Sequence, residues 1–511
     1  MGLAVLYTRA MLGMQAPEVR VEVNVGKGIG NFQIIGMPET TVREAKDRVR
    51  TALINCGYDF PVGRITVNLS PAELPKQGAR YDLAIALGVL IAGGKVTIQS
   101  LDDIELYGEL GLAGELRAVQ GTLPSLLACQ AAGRLAIVPF ANHDEAGLLR
   151  DGVAYAFNNF NDIVAHLEGS QRAALVAPRI LEPKTNAYGD MQDVKGQHQA
   201  KRALLLAAAG GHNLLFVGPP GTGKTMLAQR MLSLLPPLDD EDSIEVAAIQ
   251  SLSQEGFSAR HWRQRPLRSP HHSCSAAALV GGGTVPRPGE ITLAHKGILF
   301  LDELAEIPRH ILDSLREPLE SGVVHISRVQ QRAEYPAQFQ LLCALNPSPC
   351  GSFDGDLSSA RATPDQIIKY LSKLSGPFLD RIDLQVEVPR QPEVLRHTRS
   401  AEQQSDEPSS AELRAKVINA HQRQRARQGK LNQYLQAAEI LTICQLNDDD
   451  HEFLIAAIEK LKMSHRAYHR VLRLSRTIAD LAGEDQVRRA HLSEALSYRA
   501  LDNLLTQLQA L

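Results

Sequence analysis

An excess of positive charge is the first thing this 511-residue sequence lacks: 54 Lys and Arg face 57 Asp and Glu, for a net charge of -3. A globally basic nucleic-acid binder is thereby excluded, and any such role must rest on local basic surfaces, such as the lining of a pore. Aromatic residues are scarce, at 5% with a single Trp, so stacking on single-stranded bases is not the obvious binding mode. The longest apolar run, Leu83 to Gly93, falls far short of the roughly 20 residues of a membrane span. No basic stretch followed by a continuous apolar run opens the chain, which predicts no signal peptide. Six scattered cysteines without a CxxC pair point to a reducing compartment. What is present is globular: 44% hydrophobic and 22% charged residues, at a length that predicts about three domains. These features together predict a soluble cytoplasmic protein with no membrane partner.

Residues 1–175 read as mixed α/β. Arg20 to Val25 and Arg64 to Leu69 alternate with the period of two expected of strands. Thr41-Val42-Arg43-Glu44 has capping-box spacing and predicts a helix running through Ile54. Aperiodic residues 171–195, with two prolines and a glycine, predict a junction. Across 176–390, helical patterns alternate with the buried-strand runs Asn213–Val217, Ile298–Leu301 and Gln340–Leu345, which argues a parallel-sheet α/β domain. Residues 391–412, centred on the polar run 400–410, read as a flexible linker, and 413–511, free of proline, as a helical domain.

The strongest chemical signal is Gly218-Pro219-Pro220-Gly221-Thr222-Gly223-Lys224-Thr225, a GxxxxGK[ST] phosphate loop preceded by the apolar run Leu214 to Val217. Glycines let backbone N–H groups turn inward around phosphates, and the following helix adds its positive N-terminus. Lys224 can reach the β- and γ-phosphates of ATP, and the Thr225 hydroxyl can ligate Mg²⁺. Gly297 to Glu303 is a buried strand ending in two carboxylates; Asp302 is placed to hold Mg²⁺ and Glu303 to deprotonate an attacking water. Asn346 ends a third strand, where its amide could meet the γ-phosphate or the water, although Asn346-Pro347 also reads as a turn opener. Arg381 lies between acids in Phe378-Leu-Asp-Arg-Ile-Asp383, which in isolation reads as a surface salt-bridge cluster.

With Arg268-Ser-Pro-His-His-Ser273, Leu279-Val-Gly-Gly-Gly283, Pro288 to His295, Leu315 to Gly322, Ser375 to Asp383 and Arg476 to Asp480, these motifs resemble those of the magnesium-chelatase-like ComM/YifB family of AAA+ ATPases. The resemblance runs through nearly the whole chain. It implies a fold of α/β class: a Lon-protease-like α+β N-terminal domain, an AAA+ P-loop parallel-sheet core, and a C-terminal helical lid. It also implies that Arg381 is an arginine finger acting across a subunit boundary in a homo-hexameric ring, and that Arg466 is the lid's second sensor, with Arg470 and Arg473 as competitors on the same helix.

Lon-like proteases carry their nucleophilic Ser in a Gly-Pro-Ser-Ala-Gly segment and its Lys base after a Gly-Gly turn. Here Arg80 stands at the serine position of Pro75 to Asp82, and Ser125 at the lysine position of Gln120 to Ser125. Peptidase chemistry therefore lacks its agent, and the domain reads as a catalytically inactive scaffold or substrate-engaging module. Many relatives resemble a four-cysteine set suited to zinc near residue 350; this chain keeps only Cys350, so no zinc is expected. His271-His272 beside Cys274 does not make a metal site either, because adjacent side chains point different ways.

Val323 to Leu341 reads as a β-hairpin, which similar motors place at the central pore; Arg328 and Arg332 near its tip could grip phosphates without regard to base sequence. Arg414 to Lys430, with six cations and no acid, could also touch a nucleic-acid backbone, or be a solvated helix face. The resemblance implies an ATP- and Mg²⁺-dependent DNA motor, a branch-migration helicase or translocase acting on recombination intermediates in natural transformation. The competing expectations are a chelatase-type motor driving metal insertion through partner subunits, and an ATP-dependent scaffold remodelling a protein partner.

Overall fold

The computed structural model describes residues 2–98, 101–179, 188–282, 287–327, 332–349, 362–391 and 407–509. The N-terminal domain is a seven-stranded mixed sheet of β1 (Gly2–Arg9), β2 (Glu18–Gly26), β3 (Asn31–Ile35), β4 (Arg64–Ser70), β5 (Ile104–Leu106), β6 (Leu135–Pro139) and β7 (Ala154–Phe157), in the order β3-β4-β2-β1-β5-β6-β7. The period-two pattern dictates which face is buried: Val19, Val21, Val23 and Val25 of β2 and Ile65, Val67 and Leu69 of β4 all point inward. Against them packs the apolar helix α2 (Asp82–Ala92), preceded by α1 (Ala45–Asn55). Gly88 is what allows α2 to lie so close, since a Cβ there would stand 2.6 Å from Val23 Cγ2 and 2.8 Å from Leu6 Cδ1. The Thr41 capping box does not form. Thr40–Arg43 is a separate short helix whose N-cap is Glu39, so Thr41 already lies within it, and α1 restarts after Glu44.

The central domain is a five-stranded, wholly parallel sheet, in the order β9-β10-β11-β8-β12, of β8 (Leu214–Val217), β9 (Leu267–Arg268), β10 (Ile298–Leu301), β11 (Gln340–Leu345) and β12 (Leu384–Glu387). The middle strands β8, β10 and β11 are buried on both faces, which is why they read as continuous apolar runs. Helices α4 (His198–Gly210) and α5 (Lys224–Leu234) flank this sheet, and α6 (Asp240–Leu252) follows them, its Ala247 and Ala248 buried with Leu123 and Leu126 of the N-terminal domain. The N-terminal domain docks on α6 through helix α3 (Thr122–Ala131), with the Ser251 hydroxyl donating to Glu145 Oε2 and the Ser251 carbonyl accepting from Gly121 N–H at 2.8 Å. Two small antiparallel hairpins stand off the main sheet: Gly281–Gly282 with Arg287–Pro288, and Val323–Ser327 with Arg332–Pro336, the latter as the sequence pattern predicts. The second hairpin does not continue into β11, because residues 337–339 intervene.

The helical region opens with α8 (Ser410–Gln428), whose Ser409 side chain and Glu412 form a reciprocal capping box. Residues 410–412, assigned from sequence to the linker, are therefore the first turn of a helix. In α9 (His465–Ala482), the buried Arg476 donates to Asp480, to the Asp485 carbonyl at 2.6 Å and to the Glu484 carbonyl. The last helix, α10 (Ala500–Gln509), leaves the bundle for the α/β core: Leu501, Leu504 and Leu508 join the cluster of Ile367 and Leu371, and Leu501 N–H donates to Gln385 Oε1. Among the described residues, no helix is long and apolar enough to cross a membrane.

Candidate active site

In a parallel sheet the strand C-termini share one edge, and four of the sequence-assigned positions meet there. The phosphate loop follows β8, Asp302 and Glu303 follow β10, and Asn346 follows β11. Gly221 and Gly223 take φ of 79° and 91°, left-handed conformations that let the loop curl ahead of α5. Lys224 opens α5 and is only 6% exposed. Its ammonium donates to the carbonyls of Gly218 (2.7 Å) and Pro219 (2.8 Å) and to Asn346 Oδ1 (3.0 Å). These oxygens are all uncharged, and burial lowers the Lys224 pKa, partly offset by Asp302 and Glu303. A buried cation held by neutral acceptors is a site shaped for an anion, and a nucleotide phosphate fits it. Thr225 Oγ1 donates to Asp302 Oδ2 at 2.8 Å, and this hydroxyl and carboxylate are the residues that would hold Mg²⁺. The Thr222 hydroxyl closes the loop on the Pro219 carbonyl.

Glu303 adopts φ 51°, a left-handed conformation unusual for a residue with a side chain. Its N–H donates to Asp302 Oδ1 at 2.8 Å, and its Oε2 lies 2.9 Å from His272 Nδ1. This histidine partner was invisible to motif reading. The signal lies in register: Arg268 of β9 pairs with Leu299 of β10, and four residues further along each chain bring His272 to Glu303.

Arg381 and Arg466 are not brought to this edge. Arg381 precedes β12, whose Leu384 is level with Leu214 at the start of β8, so it sits at the opposite edge of the sheet from Gly218. Its guanidinium pairs with Glu320 and donates to the carbonyls of Pro377 (2.5 Å) and Arg316 (3.3 Å). Burial lowers its pKa, with Arg466 and Arg316 also acting in that direction and Glu320 against it. Arg466 shares with Arg381 a cavity of about 460 Å³, lined also by Asn213, Asp380, His469 and Arg473. Arg466 thus keeps company with Arg381 and with Asn213, just before β8. The competitor Arg470 is tied to the Ile382 carbonyl (3.0 Å) and Arg473 to the Gln433 carbonyl (2.8 Å).

The nucleic-acid candidates divide. Arg328, like Cys350, lies outside the described residues; Arg332 begins the second strand of its hairpin, opposite Ser327. The basic run on α8 is largely engaged internally: Arg414 with the Ser233 carbonyl, Arg423 with Asp485, Arg427 with Asp480, and Lys430 with Glu439. At the two positions where Lon-like enzymes carry their dyad, Arg80 Nη2 donates to Ser125 Oγ at 2.8 Å, and Ser125 Oγ donates in turn to the Gly121 carbonyl. A guanidinium cannot serve as base, so this buried pair holds no activated nucleophile.

Three family models match: magnesium chelatase subunit ChlI over residues 190–395, a further ChlI model over 21–142, and the ChlI C-terminal model over 407–499. The chain is 49% identical over 513 residues to the competence protein ComM of Haemophilus influenzae, covering 99% of each. It is likewise 49% identical to the YifB protein of Salmonella typhimurium over the full length of both. A 67 kDa magnesium-chelatase subunit of Heliobacterium mobile is 26% identical over 231 residues, 40% of this chain and 33% of that protein. A phosphate loop, an acidic strand end and a polar third strand end on one edge of a parallel sheet, followed by a helical domain, is the AAA+ arrangement; the chain belongs to the ComM/YifB family of magnesium-chelatase-like AAA+ proteins.

Proposed function

We propose that this protein is a Mg²⁺-dependent ATPase that works as a homo-hexameric ring and moves DNA through its pore, driving branch migration of recombination intermediates. The observation that carries the ATPase is the buried Lys224 ammonium, held by neutral oxygens beside a Thr225–Asp302 pair. Lys224 and the loop amides bind the phosphates. Thr225 and Asp302 hold Mg²⁺, which when bound neutralises charge on the β- and γ-phosphates. Glu303 accepts the proton of the attacking water, and Asn346 orients the γ-phosphate or that water. The ring is supported by Arg381 and Arg466 lying at the far edge of the sheet from their own phosphate loop: each completes the site of a neighbouring subunit.

The DNA substrate is supported by the near-full-length similarity to a protein named for competence and by the hairpin whose second strand begins at Arg332. The second reading, a motor acting on a protein or tetrapyrrole partner, is favoured by the ChlI models and the partial match to a chelatase subunit. A labelled four-way junction distinguishes them. The DNA reading predicts ATP-dependent strand exchange that Glu303→Gln abolishes; an active ATPase that leaves the junction intact would contradict it and favour the partner-driven motor.

A further inference from the structure

The sheet of the N-terminal domain ends on β3, and the outer side of that strand has no cover. The Asn31 N–H donates to the Gly63 carbonyl at 3.3 Å, on the β4 side. By the alternation of a ladder, Asn31, Gln33 and Ile35 therefore bond to β4, while Phe32 and Ile34 turn their N–H and C=O groups outward. Among the described residues, nothing pairs with those outward groups. The other edges of the two main sheets are blunted. On β7 the Ala154 carbonyl accepts from Val176 N–H at 2.8 Å, and on β12 the Gln385 N–H donates to the Tyr498 carbonyl at 3.2 Å. β9 is two residues long before the chain turns off toward the short helix α7 (Ala276–Val280). β3 runs for five residues, Asn-Phe-Gln-Ile-Ile, in unbroken register with β4, and carries none of the usual guards of an edge: no charge, no proline and no bulge.

The surroundings of this edge are apolar at its ends and cationic along one side. Ile29 (95% exposed) and Val62 (96%) stand at the start of β3, and Ile35 and Met37 are exposed at its end. On the helix side of the sheet, Lys46 and Arg50 occupy the flank of α1 that faces away from α2; Arg48, on the other flank, is held by Asp82 of α2 at 2.9 Å. The Arg50 guanidinium lies 5.4 Å from the Phe60 ring, itself 5.9 Å from the Phe32 ring of β3, so the cationic flank adjoins the open edge. Arg43, in the short helix before α1, is exposed like Lys46 and Arg50. Among the described residues, no carboxylate comes within ion-pair distance of these three cations: Glu44 faces Arg48 at 3.8 Å, and Asp47 is the one acid within α1. The basic run on α8, by contrast, spends its charge on internal partners.

We propose that β3 is a docking edge for an extended acidic segment of a partner protein, which adds to the sheet as a further strand. Its main chain pairs with Phe32 and Ile34; its side chains on the helix side are carboxylates facing Arg43, Lys46 and Arg50; its alternate side chains are apolar and lie beside Ile35. A second copy of this chain does not fit, because antiparallel pairing of two β3 edges brings the two rows of cations together. A nucleic acid would neutralise the cations but leave the outward N–H and C=O groups unpaired. The proposal concerns this surface alone and does not rest on the DNA-motor reading. The test is fluorescence anisotropy of the full-length protein with a labelled decapeptide alternating Asp and Val. Wild type should bind this peptide and not its Lys/Val counterpart. Lys46→Glu with Arg50→Glu should weaken binding by about tenfold, the loss of two exposed ion pairs, with thermal unfolding and the basal ATPase rate unchanged. N-methylating one alternate set of peptide amides should abolish binding, and N-methylating the other set should largely spare it. Equal affinity in the charge-reversed variant, equal effects of the two methylated sets, or no binding of the acidic peptide would overturn the proposal. Tighter binding of a single-stranded oligonucleotide, lost in the same variant, would also overturn it and assign the edge to nucleic acid.

Discussion

If Arg381 serves a neighbouring site, two individually inactive variants should restore one another when mixed. The structure fixes why. From Leu214, level with Leu384, to Val217, β8 rises about 3.3 Å per residue, and Arg381 lies three residues before Leu384 while Gly218 follows Val217. The guanidinium is moreover anchored to Glu320 and the Pro377 carbonyl, at the strand N-termini. Arg381→Ala should then bind ATP normally but lose about 10³- to 10⁵-fold in kcat, the effect of removing an arginine finger. Lys224→Ala should lose turnover through its own phosphate site. In a ring assembled from equal amounts of both, half the subunits carry an intact phosphate loop and half of those face an intact guanidinium. About one quarter of the sites are therefore complete, and the mixture should hydrolyse ATP at about a quarter of the wild-type rate per subunit. The assay is a phosphate-release titration of one variant against the other at constant total protein. Rates that stay at the sum of the two separate variants across the titration would refute action in trans.

Other consequences concern chemistry, substrate and stability. Glu303→Gln should retain ATP affinity and assembly but lose about 10²- to 10⁴-fold in turnover, checked by nucleotide binding beside single-turnover hydrolysis. Arg328→Ala with Arg332→Ala should depress the DNA-stimulated rate more than the basal rate and reduce the salt dependence of DNA binding by up to about two phosphate contacts; equal loss of both rates would make the hairpin structural. His421 is buried against the Ala208 carbonyl, at 3.0 Å, and burial pushes its pKa down to about 4. The unfolded chain takes up that proton at higher pH than the folded one, so stability is lost as pH falls from about 6.5 toward 4, by roughly 1.4 kcal/mol per unit of separation. Urea unfolding at pH 7 and pH 5 should show a larger drop for the wild type than for His421→Gln.

Much of the nucleotide site was legible because its information is local. The phosphate loop is a contiguous phrase, and β8, β10 and β11, buried on both faces, announce themselves as apolar runs ending in Gly218, Asp302 and Asn346. The pairing of Glu303 with His272 was not legible, because it depends on the register between β9 and β10 rather than on either segment alone. The same holds for Arg466, whose company with Arg381 is set by where α9 packs. The internal partners of the basic run on α8 were not legible, because composition does not reveal them: Asp480 and Asp485, which engage Arg427 and Arg423, lie more than fifty residues downstream. The end of the linker was misplaced by a few residues although Ser409 and Glu412 have capping-box spacing, since the polar character of 400–410 masked the start of the helix.

The most direct test of the central claim is the ATPase rate measured alone and with single-stranded, duplex and four-way-junction DNA, with Lys224→Ala as the blank. A DNA motor predicts a Lys224-dependent rate that DNA stimulates, most strongly with the junction. A Lys224-dependent rate indifferent to every DNA would contradict it.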